Sequence, residues 1–313
     1  MNRFIIYFLL MNFLTFAQSK MEMVELIDSS KFEGKIYRIE NFSTNFIKPR
    51  TVDIWVPTNY SKDKKYSVLY MHDGQMLFDA TTTWNKQEWM VDEALNKLTS
   101  ENKINEVIVV AIWNIPALRH ADFFPKKPLL ELTQAEQKLI FEEAHKLNYQ
   151  FNLEDINSDN YLKFIVKELK PFIDSNFSVF TDANHTAIMG SSMGGLISMY
   201  AICEYPRVFG KAACLSTHWI GFREFDNNPI PESFFNYMNK HLPTSKNHQL
   251  YFDYGTQTLD AGYIKYAYRV DEILKEKGYT QQNSRNLKFE GENHSEASWQ
   301  KRIPIPLEFM FVE

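Results

Sequence analysis

The sequence holds only two cysteines, Cys203 and Cys214, in 313 residues. That number excludes a disulfide framework and a four-thiolate zinc site. Basic charge is not in excess either. The 34 Lys and Arg stand against 39 Asp and Glu, and a net charge of −5 argues against a nucleic-acid footprint. Outside Met1–Gln18 no stretch is long and apolar enough to cross a bilayer, and there is no internal repeat or Gly/Ser linker. What is present is ordinary for a globular protein, with 44% hydrophobic and 23% charged residues, ample for a buried core. The length suits one large domain or two small ones. The 25 phenylalanines read first as packing and only weakly as a sugar-binding platform.

The chain opens with Arg3 and an apolar run from Phe4 to Ala17, broken only by Asn12 and Thr15. Thr15 and Ala17 are small residues at the positions a signal peptidase reads. Residues 1–17 are therefore expected to be a secretory signal peptide. A membrane span needs about 20 apolar residues, and this run is shorter. No cysteine follows it, so lipid attachment is not expected. The remainder should be exported, periplasmic or extracellular, without a transmembrane span. Export permits disulfides, but Cys203 and Cys214 sit among apolar residues and are expected as buried free thiols.

Short apolar runs alternate with helical patterns. Strands are expected at Lys35–Asn41, Arg50–Val56, Ser67–Met71, Val107–Ile112, His185–Met189, Lys211–Leu215, Gln249–Tyr254 and Asn286–Glu290. The first two alternate in polarity, as half-exposed antiparallel strands do; the later ones are more continuously apolar, as strands covered on both faces are. Helices are expected at Glu88–Leu98, Thr133–Leu147, Asn160–Asp174, Met193–Glu204, Glu232–His241 and Gly262–Lys277. The order implies an α/β fold, a mostly parallel sheet of about eight strands with helices on both faces. The aromatic, charged segment 117–158 is longer than a strand–helix connection usually is. It reads as an insertion near the top of the sheet, either a lid or padding for one edge.

Gly190-x-Ser192-x-Gly194, after an apolar strand and before a helical pattern, has the context of a nucleophile elbow. A serine there would sit on a strained turn, its hydroxyl above the sheet, with N–H groups of the following helix aimed at the reacting oxygen. The glycines would be needed because a Cβ two residues either side would collide with the neighbouring strand and helix. Ser191, the neighbouring serine, lacks a glycine two residues before and two after it. A serine needs a base, usually a histidine held by a carboxylate. His294, in the loop after the Asn286–Glu290 strand, is the expected base, and His218 is the alternative. Asp260, in the loop after Gln249–Tyr254, is the expected acid, and Asp253 is the alternative. The oxyanion would be held by the N–H of Met193 and that of Gln75, after the close-approach Gly74. His72-Asp73 alone is thin grounds for a metal, and none is expected. His218 and Trp219 are expected to touch substrate. Trp299 could line the cleft or pack, and Glu296 could open a short helix. The sequon Asn293-His294-Ser295 is read as chance, since a glycan there would block the base.

Five segments in order carry a resemblance. They are His72-Asp73-Gly74-Gln75 with Leu77-Phe78-Asp79, Ile188–Gly195, Ser216-Thr217-His218-Trp219, Tyr254-Gly255-Thr256 with Thr258-Leu259-Asp260, and His294-Ser295-Glu296 with Trp299. Together they resemble the "putative esterase" family of α/β-hydrolases. That family includes esterase D, siderophore esterases, feruloyl and acetyl-xylan esterases and mycolyltransferases. The resemblance runs from about Val52 to the C-terminus. It implies an α/β-hydrolase fold with Ser192 as nucleophile, His294 as base and Asp260 as acid. The mycolyltransferase branch places an oxyanion donor after an Asp-Gly pair, which supports Gln75. Two departures stand out. Many relatives carry an acidic residue where Gln257 and Thr258 stand here. Arg119–Pro125 replaces the Arg-x-x-Glu-Tyr-x-Pro of relatives with a shorter acid, Asp122, and with Phe123, which lacks the hydroxyl.

The expected activity is a cofactor-independent, exported serine carboxylic-ester hydrolase acting on a small-molecule or polysaccharide ester, of acetyl or feruloyl type. A siderophore trilactone esterase or an acyltransferase would use the same triad. A non-catalytic module on this scaffold should have lost a triad residue, and all three are present.

Overall fold

A computed structural model describes residues 22–26, 31–146 and 151–312; the expected signal peptide, 1–17, lies outside them. Among the described residues nine strands form one sheet: β1 (Val24–Leu26), β2 (Lys35–Phe42), β3 (Arg50–Val56), β4 (Ser67–His72), β5 (Val107–Ile112), β6 (Thr186–Ser191), β7 (Lys211–Leu215), β8 (Gln249–Gly255) and β9 (Ser284–Phe289). Their spatial order is β1-β2-β3-β5-β4-β6-β7-β8-β9. The pairs from β1 to β3 and from β3 to β5 are antiparallel, and those from β5 through to β9 are parallel. All eight expected strands form, within one or two residues of the expected ends. The added one, β1, is a largely exposed edge strand. The α/β-hydrolase architecture is the one expected.

The pleat sorts the central strands into two cores, because successive side chains point to opposite faces. Val68 and Tyr70 of β4, Ile188 of β6 and Phe252 of β8 pack under the helices Met193–Glu204, Ile230–His241 and Ile264–Glu276. Leu69, Met71, Met189 and Tyr251 face the other way, against Val91–Ser100 and the C-terminal helices Glu296–Arg302 and Pro304–Phe311. With both faces covered, β4–β7 have no need of polar alternation, which is why they read as continuous apolar runs. Cys203 and Cys214 are buried free thiols, and no described helix is long and apolar enough to cross a membrane.

The segment 117–158 carries the helices Arg119–Phe123, Lys126–Leu130 and Gln134–Lys146. Its Phe123, Phe124, Leu129, Ile140 and Phe151 enter the first core, each 2% exposed or less. Asp122 makes a buried 2.8 Å pair with Arg50 of β3. These contacts tie the described residues of the segment to the core.

The chain leaves β4 for β5 on one side and returns to β6 on the other. The crevice at the carboxyl ends of β4 and β6 is thus a switch point, where open α/β sheets bind ligands. His72, Ser192, His218, Asp260 and His294 all lie at this end of the sheet.

Candidate active site

Ser192 follows β6 with φ 57° and ψ −120°, a conformation costly for a residue with a Cβ. The backbone is held there by its neighbours. Ser192 N–H donates to Leu215 O at 2.9 Å, and its carbonyl accepts from Leu196 N at 3.1 Å and His218 N at 3.2 Å. Only part of the expected glycine logic survives. A Cβ on Gly190 would lie 2.8 Å from the Gly194 carbonyl carbon. On Gly194 it would meet nothing closer than 3.4 Å, an ordinary contact with the His72 side chain. The tight approach belongs to Gly195, whose Cβ would fall 3.0 Å from Leu215 O.

Ser192 and His294 line one groove, together with Gln75, Asn114, Arg119, Trp84, Trp89 and Trp299. His294 stands in the loop between β9 and the helix Glu296–Arg302. Its N–H donates to Thr258 Oγ1 at 3.0 Å, and its ring lies edge-on to Trp299 with centroids 5.0 Å apart. Nδ1 pairs with Asp260 Oδ1 at 2.5 Å. Asp260, fully buried, sits in the short turn Thr258–Gly262 after β8. Its second oxygen accepts from Gly255 N at 2.7 Å and Ser216 Oγ at 2.5 Å. Burial, the largest influence on this carboxyl, pushes its pKa up. The bond and charge of His294, with the Ser216 and Gly255 donors, outweigh burial and hold it below the usual range.

Asp253, the alternative acid, is committed elsewhere. Its oxygens accept from Arg302 Nη2 at 2.9 Å and Nε at 3.1 Å, from Ser216 N at 3.1 Å and from Tyr251 Oη at 3.0 Å. His218, the alternative base, is buried with Nδ1 2.5 Å from Tyr263 Oη; burial lowers its pKa to about 3, so the ring stays neutral. It does not line the groove, and neither does Trp219. Trp219, expected with His218 to touch substrate, is 4% exposed; its ring stacks on Phe252 and meets Phe235 at a tilt in the core.

The turn after β4 is shaped by backbone. Asp73 has φ 57°, and a Cβ on Gly74 would fall 2.5 Å from the carbonyl carbon of Ala111 in β5, so this position tolerates only glycine. Gln75 and Met76 follow in one tight helical turn, with Gln75 on the groove. Arg119 grips Asp73 with two bonds, at 2.8 and 2.7 Å, and Asn114 Nδ2 adds a third at 2.7 Å. Against burial, these donors hold the Asp73 carboxyl low. His72 points away, Nδ1 2.7 Å from Tyr161 Oη, and burial lowers its pKa to about 3. Among the described residues no group of three or more His, Cys, Asp or Glu is placed to hold a metal.

Three functional-looking residues escape sequence reasoning. Ser216 has φ 43° and a hydroxyl that also accepts from Trp299 Nε1 at 3.0 Å and Arg302 Nη2 at 2.7 Å. Arg302 ties Asp253 to that hydroxyl, and Tyr263 packs edge-on to His294. Ser216 directly after β7 was the one visible signal; Arg302 and Tyr263 left none.

The family model for "putative esterase" matches residues 43–123 and 134–309. The uncharacterized protein YbbA of Bacillus subtilis is 26% identical over 172 residues, 54% of this chain and 58% of its own length. The match thus spans less than two thirds of that relative. A ferulic acid esterase of Anaeromyces mucronatus superposes with a TM-score of 0.59 at 17% identity, covering 92% of this chain and 97% of that one. The enterobactin esterase of Shigella flexneri gives 0.61 at 15%, covering 87% and 58%. The two solved structures are likenesses of fold, whereas the family model reaches most of the sequence. The chain belongs to the "putative esterase" family of α/β-hydrolases.

Proposed function

We propose that this chain hydrolyses carboxylic esters through Ser192, His294 and Asp260. The observation that carries the reading is the 2.5 Å pair of His294 Nδ1 with buried Asp260, in a ring that shares its groove with the strained Ser192. A carboxylate at Nδ1 keeps the proton there and turns Nε2 into the base. His294 takes the proton of Ser192 Oγ as that oxygen bonds the ester carbon. The N–H groups of Met193 and Gln75 hold the resulting oxyanion. The adduct then expels the alcohol, which leaves with the proton from His294, and the acyl group stays on Ser192. Water, deprotonated by His294, attacks the acyl-enzyme, and Ser192 recovers its proton as the acid departs. No cofactor enters the scheme.

The substrate in this reading is an acyl ester of a polysaccharide, acetyl or feruloyl. The groove lined by Trp84, Trp89 and Trp299 supports it, as does the fold shared with a ferulic acid esterase. The apolar run Phe4–Ala17 supports export to where such polymers lie. Fold likeness to an enterobactin esterase favours a siderophore trilactone as second choice. The test is a panel of p-nitrophenyl acetate, methyl ferulate, acetylated xylan and a catechol trilactone, on the native sequence and Ser192→Ala. Turnover of the carbohydrate esters, lost by about 10⁴-fold or more in the variant, is expected. Native-level turnover by Ser192→Ala would remove the serine mechanism.

A further inference from the structure

We propose that Trp84 is the platform of a sugar-binding subsite at the mouth of the groove, stacking on the carbohydrate ring that carries the ester. The inference rests on the esterase reading above.

Four other tryptophans, Trp55, Trp89, Trp219 and Trp299, are at most 4% exposed, but Trp84 is 83% exposed. A tryptophan can bury 150–250 Å² or so, and leaving it in water forgoes that stabilisation. It lies on the groove that holds Ser192 and His294, so whatever stacks on it is continuous with the reacting ester.

The loop that presents it is tied down by hydrogen bonds. Asp79 caps the loop start by accepting from Thr81 N at 2.8 Å, and Thr83 Oγ1 donates to Ala80 O at 3.0 Å. Lys86 closes a turn around Trp84 with N–H to Thr83 O at 3.4 Å and Nζ to Thr81 O at 2.7 Å. Asn85 Nδ2 donates to Glu296 Oε2 at 2.7 Å, and Ala297 N donates to Gln87 Oε1 at 3.1 Å. Both bonds tie the loop to the helix that directly follows His294. A rigid aromatic on such a loop binds without a large ordering cost.

The neighbouring polar groups select a sugar over an aromatic acyl group. Among the described residues Gln87 Nε2 and Glu296 Oε1 have no hydrogen-bond partner, and both residues line the groove with Trp84. A ring bearing several hydroxyls satisfies an amide donor and a carboxylate acceptor while its apolar face covers the indole. A phenolic acyl ring has few such groups, and small aromatic ligands favour concave, enclosing sites. A platform open on one side lets a chain of sugars pass.

Two arms test this. In the first, Ser192→Ala and the double variant Ser192→Ala with Trp84→Ala are titrated calorimetrically with xylohexaose, cellohexaose, mannohexaose and ferulic acid. At least one hexasaccharide should bind, about tenfold more weakly in the double variant, with Trp84→Phe keeping most of the affinity. In the second, Trp84→Ala on the active chain should raise KM for the acetylated form of that sugar about tenfold more than it raises KM for vinyl acetate, the loss falling on KM rather than on kcat. Vinyl acetate hydrolysis reports the esterase chemistry by itself, so its absence would fail that reading and leave the binding arm to judge the subsite. No hexasaccharide binding, or equal binding with and without Trp84, would overturn the proposal. So would a Trp84→Ala defect confined to ferulic acid and methyl ferulate.

Discussion

The Ser216 hydroxyl donates a 2.5 Å bond to the oxygen of Asp260 that His294 does not use. Its two other partners, Trp299 Nε1 and Arg302 Nη2, are both donors, so the hydroxyl proton is directed onto the carboxylate. The bond favours ionised Asp260, and removing it moves that carboxyl's pKa upward. In Ser216→Ala, kcat/KM should fall by about tenfold to a hundredfold, the worth of a hydrogen bond to a charge. The acid-side loss of activity should also set in at a higher pH. Arg302 keeps Asp253, so the variant should fold. A pH–rate profile that superposes on that of the native sequence would remove Ser216 from this role.

Asp260→Asn and Asp253→Asn should fail in different ways. The first leaves the fold intact but favours the wrong tautomer of His294, with an expected loss of about 10⁴ in kcat. The second strands Arg302, 2% exposed, opposite a neutral amide, and should cost about 3–5 kcal/mol of stability. Its folded fraction should keep kcat within a few-fold. Steady-state kinetics beside urea unfolding separates the two, and a larger kcat loss in Asp253→Asn would reassign the acid.

The glycines around Ser192 are unequal. Gly190→Ala drives a Cβ to 2.8 Å from the Gly194 backbone and should abolish activity along with the native turn. Gly194→Ala meets side-chain atoms at 3.4 Å or beyond. It should fold with a Tm near that of the native sequence, helped by about 0.5–1 kcal/mol from alanine in a helix. Melting curves and p-nitrophenyl acetate turnover check the pair, and equal damage in both would contradict the geometry.

Acid should weaken the fold through two buried histidines. His72 and His218 each have pKa values lowered by burial to about 3, against an ordinary value of 6.5. Between those values the unfolded chain binds a proton that the folded one refuses. Stability therefore rises with pH through that window and falls on acidification from 6.5 towards 3, by up to about 1.4 kcal/mol per pH unit for each ring. Urea unfolding at pH 7 and pH 5 should show the loss, and His72→Gln with His218→Gln should flatten it. A slope unchanged by that double substitution would assign the pH dependence to other groups.

The sheet was legible because β4–β7 are covered on both faces and carry nearly continuous apolar runs. The insertion of β5 between β3 and β4 was not, since strand order is set by non-local packing. β1 is three residues long with two exposed, which leaves no periodic signal. In the site, Ser192, Asp260 and His294 were legible because each follows a strand end. Trp219 adjoins His218 in sequence, and its indole packs against Phe235 and Phe252 in the core, a contact that no local motif announces. Arg302 lies on the helix Glu296–Arg302 and Tyr263 in the turn before the helix Ile264–Glu276, neither with a local motif; only the fold brings them to Asp253 and His294.

The central claim is a covalent one, that the acyl group passes through Ser192. The direct measurement is peptide mass mapping after a brief reaction with a fluorophosphonate. One label per chain on the peptide bearing Ser192, absent in Ser192→Ala and suppressed in His294→Ala, is the expected result. A label on Ser191 or elsewhere, or full ester turnover in a chain that takes no label, would contradict the account.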